Sequence, residues 1–414
     1  MDDEANIYDV KFCKSVIHSV ASLTYDEAQS MLDVPDEEDT VNRSVNLLQK
    51  LAKILRQRRI DMGALTLASP EVRFKLDTET QNPTDVTMYN LKDSNALVEE
   101  WMLLANITVS KQILRFYPTL GILRRHQPPS RQQFAPLLSA ALAVNCSLDI
   151  TNSKTLADSL DRATRVSDPY FNKLLRILST RCMMPAQYFC SGELPKDQWH
   201  HYGLAAPVYT HFTSPIRRYA DILVHRLLAA SIGVIPLPIA NSDHIKQQEL
   251  CSHMNRRHRA AQYVSRASVS NHTLLYFTDH PSTEVAYILS ITEDRFSVLV
   301  PRFGIEGSIQ LDHLKTALQA DEVEFKAIEH RVMMFKRSSS SSSSALVANN
   351  KKQKLFKATQ QQQLISSEKE VMIVVLSLQV FDKVQISIKV HNSVSGSRKL
   401  VFSLLHKGID LGTN

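Results

Sequence analysis

The sequence predicts an α+β protein in which a long, mostly helical part is followed by a small β-barrel. Apolar residues recur at helical spacing in successive segments up to about residue 280, and after Pro281 the apolar period shortens to two residues. Hydrophobic residues make up 43% of the 414 residues, which is enough for two or three domains with sizeable cores.

The clearest helix is predicted at residues 41–62. Val41, Val45, Leu48 and Leu55 lie at helical spacing, and Gly63 follows where a C-terminal cap belongs. The same reasoning predicts further helices at 95–116, 132–144, 153–163, 172–182, 215–232 and 247–277.

Beyond Pro281 the pattern predicts short alternating strands, at 287–291, 295–300, 304–309, 370–378 and 383–390. Five short strands in so short a stretch fit a Greek-key barrel of the OB type. Phe296, Phe303, His313, Arg295 and Arg302 offer stacking and phosphate contacts on such a barrel. The alternative is that Phe296 belongs to the barrel core.

Charge and cysteine content restrict the class of protein. The formal net charge of +6 permits a polyanionic partner but does not require one. The five cysteines include no CxxC pair, which argues against a zinc site and a disulfide framework and favours reduced thiols in the cytosol or nucleus. No long uninterrupted apolar run predicts a membrane span, and the acidic first residues argue against a signal or transit peptide.

The most informative segment is residues 209–226, Y-T-H-F-T-S-P-I-R-R-Y-A-D-I-L-V-H-R. Ser214 and Pro215 predict a helix start, after which Arg217, Asp221 and His225 share one helix face. An arginine near a helix N-terminus and beside aromatic residues suits a bound phosphate. The alternative is a solvated helix face with internal Arg–Asp pairing.

Residues 209–226 closely resemble the signature of the ribonuclease II (RNB) family of processive 3′→5′ exoribonucleases. Residues 15–29, which contain Thr24-Tyr25, and residues 98–106 resemble two other family segments. Residues 180–190 and 255–262 are similar in particular to the catalytic exoribonuclease subunit of the eukaryotic exosome. The similarity extends from about residue 5 to about residue 330 and resumes near residue 370.

The resemblance implies a domain organisation. We expect residues 1–280 to be a partial RNB catalytic domain that lacks its N-terminal portion. Residues 281–395 are expected to form an S1-type OB-fold RNA-binding domain, and residues 396–414 a tail. A serine run opens the segment 337–368, which is expected to be a disordered insertion because its composition offers little apolar surface to bury.

The resemblance also implies roles for particular residues. Arg217 matches the arginine that supports the scissile phosphate and is the expected catalytic residue. Tyr25 matches the active-site tyrosine that lies against the terminal nucleotides, and its alternative role is that of a core tyrosine. Glu100 matches the carboxylate that reaches the terminal ribose, although adjacent Glu99 leaves the register open and a surface salt bridge is the alternative.

Three further residues near the signature are expected to contact RNA. Arg218 and Tyr219 are neighbours of the RNA backbone, and His211 lies on the turn before the helix, where structural packing is an equal alternative. Asp221 and His225 are expected to orient the arginines.

The resemblance implies Mg²⁺ as a cofactor, because the family hydrolyses phosphodiesters with metal-activated water. Mg²⁺ requires hard carboxylate ligands, and the Asp-rich loop that supplies them in the family is not found in this sequence. The acidic runs at 2–4 and 36–39 do not match it, so we expect the metal ligands to be absent from this chain. The chain is accordingly expected to begin inside the catalytic domain.

These expectations lead to three hypotheses for function. The first is a hydrolytic 3′→5′ exoribonuclease acting on single-stranded RNA in RNA processing and decay, in the nucleus and cytoplasm, with exosome core subunits as partners and no preference for DNA. The second is a catalytically inactive RNA-binding fragment or assembly module. The third is an incomplete gene model of the full enzyme.

Overall fold

The computed structural model describes residues 1–68, 72–80, 82–88, 91–337, 372–392, 397–406 and 409–411. These residues divide into two compact units. The first contains Met1–Arg73, Met88–Leu138 and Ser147–Asn271, and the second contains the remaining described residues. The insertion expected at 337–368 lies, beyond Arg337, outside the described residues. No helix among the described residues is long and apolar enough to cross a membrane.

The helices predicted from apolar spacing are all present in the structure. In chain order the described helices are α1 (Tyr25–Asp33), α2 (Thr40–Asp61), α3 (Asp93–Phe116), α4 (Arg131–Leu142), α5 (Ser153–Arg162), α6 (Phe171–Cys182), α7 (Tyr219–Ser231), α8 (His244–Asp279) and α9 (Leu311–Leu318). Helices α1 and α9 were not predicted. The helix predicted at 215–232 is α7, which begins at Tyr219 instead of Pro215.

Local capping explains where α1 and α2 begin and where α2 ends. Thr24 and Glu27 form a capping box at the start of α1, in which the Glu27 carboxylate accepts the Thr24 N–H at 2.7 Å. The Asp39 carboxylate accepts the Val41 N–H at 2.9 Å and caps α2. Gly63 follows α2 with a φ of 94°, a conformation that favours glycine.

The core of the first unit is built around α7. Val224 and Leu227 of α7 are fully buried against Val109 and Ile113 of α3. Two short antiparallel strands, β3 (Ile122–Arg125) and β4 (Gln187–Cys190), complete this core together with part of α8. The chain segment that leads into α7 is therefore anchored on a buried helix.

The second unit contains a nearly closed five-stranded antiparallel barrel. Strands pair in the order β12 (Arg398–His406), β11 (Lys383–Asn392), β5 (Ser282–Ile291), β6 (Arg295–Val300) and β7 (Ile305–Gln310). Strand β12 packs alongside β7, which brings the two ends of the sheet together. The expected barrel class is confirmed.

Two strand assignments differ from the sequence prediction. The strand predicted at 370–378 is β10 (Met372–Gln379), but it pairs with β9 (Arg331–Arg337) in a separate three-stranded sheet that also includes β8 (Glu322–Lys326). The fifth barrel strand is instead β12, which lies in the expected tail at 396–414. Its apolar residues do not alternate with polar ones, because only Ser403 interrupts the run from Leu400 to Leu405, and Phe402 and Leu404 are buried in the barrel.

The two phenylalanines expected to offer stacking contacts lie in the core of the second unit. Phe296 is completely buried. Phe303 is also buried and packs edge-on against Phe277 of α8, with 5.2 Å between the ring centroids. The alternative that Phe296 belongs to the core is therefore correct, the prediction of a stacking contact at Phe303 is wrong, and His313 is exposed on α9.

The second unit also includes two stretches from earlier in the chain. The hairpin of β1 (Val72–Leu76) and β2 (Pro83–Met88) places the Phe74 ring 5.6 Å from the His272 ring. Residues 139–146 belong to this unit because Ser139 Oγ and His330 Nε2 lie 2.7 Å apart and the Gln379 amide donates to the Ala143 carbonyl at 2.9 Å. The compact units are therefore not continuous in sequence.

Candidate nucleic-acid interface

The signature segment forms an irregular turn, which we call the signature turn (residues 209–218), ahead of α7. The backbone N–H groups of Arg217 and Arg218 both donate to the Ser214 carbonyl, at 3.3 and 3.1 Å. Arg217 therefore lies on the turn and does not share a helix face with Asp221 and His225, contrary to the prediction. Pro215 likewise precedes the helix by a full turn of chain.

Asp221 explains why the helix starts late. Its carboxylate accepts the Ser214 N–H at 2.7 Å and receives two hydrogen bonds from the Arg218 guanidinium, at 2.8 and 2.7 Å. Asp221 is completely buried, so this pairing compensates a charge that has lost its water. The Arg–Asp pairing that the sequence left as an alternative does exist, but it involves Arg218 and not Arg217.

Side chains from other elements hold the rest of the signature turn. The buried Asn106 of α3 donates to Tyr209 Oη at 3.0 Å and accepts the Phe212 N–H at 2.8 Å. His225 Nε2 lies 2.9 Å from the Phe212 carbonyl, and the two rings stack at 4.3 Å. The Arg124 N–H of β3 donates to the Tyr209 carbonyl at 2.8 Å. The turn is thus fixed by α3, α7 and β3 together.

His211 belongs to a buried cluster behind the signature turn. Its Nδ1 atom lies 2.5 Å from Tyr188 Oη, and the Arg124 guanidinium lies over the Tyr188 ring at 4.7 Å. Burial, together with the charges of Arg124 and Arg218, lowers the pKa of His211 to about 2. His211 is therefore a neutral, hydrogen-bonded packing residue, and the positive charge of the cluster comes from the two arginines.

Three side chains next to this cluster are exposed to solvent. Arg217 is exposed, Tyr219 is half-exposed, and Ile216 between Pro215 and Arg217 is 97% exposed. The signature turn therefore presents a cation, an aromatic ring and an aliphatic side chain on a fixed backbone.

Glu100 and Tyr25 lie in contrasting environments. Glu100 is 4% exposed, and both of its carboxylate oxygens accept from Arg59 of α2, at 2.5 and 3.2 Å. The adjacent Glu99 side chain is 56% exposed and lies 3.6 Å from Arg59. Tyr25 is half-exposed at the start of α1, so it is not a core tyrosine. Glu100 lies about 9 Å along α3 from Asn106, which holds the signature turn.

The described carboxylates do not fit a magnesium site. No group of three or more His, Cys, Asp or Glu side chains in the described part of the chain is placed to hold a metal ion. Asp2 accepts hydrogen bonds from Asn6 and Tyr8, and Asp39 caps α2. Asp221 and Glu100 are paired with arginines. Mg²⁺ needs several hard oxygen ligands around one point, and these carboxylates do not converge.

Part of α8 is a basic stretch, in which the sequence indicated only a family resemblance at residues 255–262. Residues 256–268 are exposed on every face of the helix and include Arg256, Arg257, Arg259 and Arg266. The sequence does contain a signal for this basic surface, because no acidic residue lies between Glu249 and Asp279.

Asn255 ties this stretch to the signature region. Its side chain both donates to and accepts from the Tyr188 backbone, each at 2.8 Å. Burial and the charge of Arg124 lower the pKa of nearby His258. Asn255 and His258 therefore place this part of α8 beside Tyr188 and Arg124, which belong to the cluster behind the signature turn.

Comparison with known proteins decides the family. A model of the RNB domain matches residues 1–233, which is more than half of the chain, and a model of the S1 domain matches residues 282–356. The chain belongs to the RNB family.

Two named relatives illustrate the similarity. Over 311 residues the chain is 50% identical to the exosome complex exonuclease RRP44 homolog A of Arabidopsis thaliana, covering 75% of this chain and 33% of the relative. It is 49% identical over 310 residues to the exosome complex exonuclease RRP44 of Homo sapiens, covering 75% of this chain and 32% of the relative. The chain therefore spans about a third of the length of these RNB relatives.

Solved structures with low sequence identity share the RNB fold. The apo form of Mycoplasma genitalium RNase R superposes with a TM-score of 0.66 at 19% identity, covering 88% of this chain and 50% of that one. The yeast pseudonuclease Ssd1 superposes with a TM-score of 0.68, also at 19% identity, covering 94% of this chain and 53% of that one. These two comparisons concern the fold alone.

Proposed function

We propose that this chain is the RNA-holding part of an RNB-family 3′→5′ exoribonuclease that hydrolyses single-stranded RNA in RNA processing and decay. The proposal depends on one observation: the Arg217 side chain is exposed on a turn whose backbone is fixed by the buried side chains of Asp221 and Asn106. Because the backbone of the turn is fixed, the point from which the Arg217 side chain extends is set before RNA binds, which lowers the entropic cost of binding a phosphate.

The structure supports different roles for the site residues around Arg217. Arg217 contacts the scissile phosphate, and the half-exposed rings of Tyr219 and Tyr25 offer faces for stacking. Arg218 and His211 act as positioning residues, because their polar groups are occupied by Asp221 and Tyr188.

The ribose contact is better assigned to Glu99 than to Glu100. Glu100 keeps its two hydrogen bonds with Arg59, whereas the Glu99 carboxylate is exposed on the same helix. A carboxylate that accepts a hydrogen bond from a 2′-hydroxyl favours RNA over DNA.

Partners and location follow from the named relatives. The two named relatives, which share about half of the matched residues with this chain, are exosome complex exonucleases. We therefore propose that the protein acts with exosome core subunits in the nucleus and cytoplasm.

The second candidate function is an RNA-binding or assembly module without catalytic activity. The separation of the described carboxylates favours it for this chain on its own. The family reaction uses Mg²⁺ to activate water, and these carboxylates do not fit the ion. We expect this chain alone to bind single-stranded RNA without hydrolysing it.

The test measures RNA binding and hydrolysis by the full 414-residue chain. Fluorescence anisotropy with a 5′-labelled single-stranded RNA should show binding that weakens as salt rises. Arg217→Ala should weaken it about tenfold, the effect of losing a charge-assisted contact, while Arg131→Ala on α4 leaves it unchanged.

Chromatography of the same reactions with Mg²⁺ should show no nucleoside monophosphates. Monophosphates that disappear in Arg217→Ala would show that this chain is itself the nuclease. Failure of the wild-type chain to bind RNA at low salt would contradict both candidate functions.

A further inference from the structure

Ile216 is the most exposed hydrophobic side chain of the signature turn. Single exposed aliphatic residues are ordinary on protein surfaces and carry no information by themselves. Ile216 differs because it is 97% exposed, while Ser214 two residues before it and Ala220 four residues after it are buried. It lies at the outermost point of a turn that is anchored on both sides.

The backbone around Ile216 is fixed by several independent interactions. Asp221 holds the Ser214 N–H and the Arg218 guanidinium, and the Ser214 carbonyl receives the N–H groups of Arg217 and Arg218. Pro215 restricts its own φ angle immediately before Ile216. The position of the Ile216 side chain is therefore set before any ligand arrives, which removes part of the entropic cost of binding.

The neighbours of Ile216 match the chemistry of a single-stranded nucleic acid. Arg217 next to it is an exposed cation, and Tyr219 three residues on is a half-exposed aromatic ring. The carboxylate of this segment, Asp221, is buried and paired, so it does not repel phosphate. An unpaired nucleotide combines an anionic phosphate with an apolar base face in the same way.

We propose that Ile216 is an RNA-binding residue that packs against the face of a nucleobase while Arg217 binds the adjacent phosphate. This proposal rests on the proposed function and assigns a base contact to a residue outside the expected site. The contact is apolar and independent of base identity, because every base has an apolar face. Ile216 thus contributes affinity for unstacked bases, and Arg217 contributes affinity for the backbone.

The test compares two oligonucleotides of equal length, one of ordinary single-stranded RNA and one with abasic sites throughout. Ile216→Ser should weaken binding of the ordinary RNA about fivefold, near the lower limit for losing a stacking contact, and leave the abasic RNA unaffected. Ile216→Leu should retain most of the affinity. Arg217→Ala should weaken both oligonucleotides and reduce the salt slope by about 0.7.

Val166→Ser is the matched control, because Val166 is also β-branched and fully exposed but lies outside the signature turn. Equal affinities of Ile216→Ser and Val166→Ser for ordinary RNA would overturn the proposal. The proposal would also be overturned if Ile216→Ser weakened the binding of both oligonucleotides equally, because the contact would then not involve bases. If wild-type chain binds neither oligonucleotide, the proposed function fails together with this inference.

Discussion

Asp221 connects the first residues of α7 to the signature turn. Its buried carboxylate accepts from one backbone N–H and from a guanidinium that is itself mostly buried. Removing the carboxylate leaves the Ser214 N–H and the Arg218 charge without their partner in a region with little water. The sequence predicts only that Asp221 orients the arginines, whereas the structure shows that its carboxylate also holds the Ser214 N–H and so determines the shape of the turn.

Asp221→Ala is therefore expected to lower the free energy of unfolding by about 3 kcal/mol, the lower limit for breaking a buried ion pair. Asp158→Ala is the control, because Asp158 pairs with Lys154 one helical turn away on the partly exposed surface of α5, and its loss should be at most about 0.5 kcal/mol. Urea denaturation followed by circular dichroism measures both. Similar losses in the two variants would contradict this account of the turn.

At the scale of elements, the closure of the barrel depends on contact between β7 and β12. Gly307 of β7 lies directly against the Phe402 ring of β12, and a Cβ atom at position 307 would overlap that ring. The φ angle of Gly307 lies outside the left-handed region. Glycine is thus required at position 307 by packing and not by backbone conformation.

Gly307→Ala should lower the stability of the barrel by about 2 kcal/mol through overpacking. Phe402→Leu should restore part of this loss in the double variant, because the smaller side chain leaves room for the added methyl group. Thermal unfolding of the two single variants and the double variant measures the coupling. Strictly additive losses would show that the β7–β12 contact does not cause the destabilisation.

Apolar spacing predicted helices such as α5 and α6 because one face of each is apolar and buried, and α2 also ends at a recognisable stop, Gly63. Helix α1 was missed even though Thr24 and Glu27 spell a capping box, because it has only nine residues and none of them is fully buried. Strand β12 was missed because both of its faces contribute buried residues. Strand β10 was recognised but placed in the wrong sheet, because strand pairing is not encoded locally.

The candidate site was predictable only in part for a similar reason. Arg217 is exposed, as a phosphate ligand must be. The contacts that hold its turn, however, come from distant segments: Asn106 bonds to Tyr209 and to the Phe212 N–H, and the Arg124 N–H bonds to the Tyr209 carbonyl. The i,i+3 spacing permits the pairing of Arg218 with Asp221, which the sequence left as an alternative, but it does not show that Asp221 also accepts the Ser214 N–H and delays the start of the helix. The sequence thus identified the residues near the site better than it identified their partners.

At the scale of the whole molecule, the buried histidines of the first unit link folding to pH. Burial lowers the pKa of His201 to about 3, with His126 and Arg124 adding to the effect, and burial lowers the pKa of His126 in the same way. Burial also lowers the pKa of His211, to about 2. The chain already carries a formal net charge of +6 and contains 15 histidines, so acid adds positive charge throughout.

The direction of the pH effect follows from where the protons bind. These histidines stay neutral in the folded chain and regain an ordinary pKa of about 6.5 when it unfolds. Below that pH the unfolded chain binds more protons, so stability is complete above about pH 7 and falls as the pH drops towards the folded pKa values. Between about pH 6.5 and 5 the carboxylates contribute little, because their ordinary pKa values lie near 4.

The free energy of unfolding of the first unit should therefore fall by up to about 1.4 kcal/mol per pH unit for each buried histidine between pH 6 and pH 5. Urea denaturation at pH 7.5, 6.0 and 5.0 measures this slope. His201→Gln should remove the contribution of one buried histidine to this slope, because glutamine does not titrate. His313→Gln, on the exposed surface of α9, is the control and should leave the slope unchanged. A slope that is the same in all three proteins would show that His201 takes up a proton as readily in the folded chain as in the unfolded chain, which would contradict its lowered pKa.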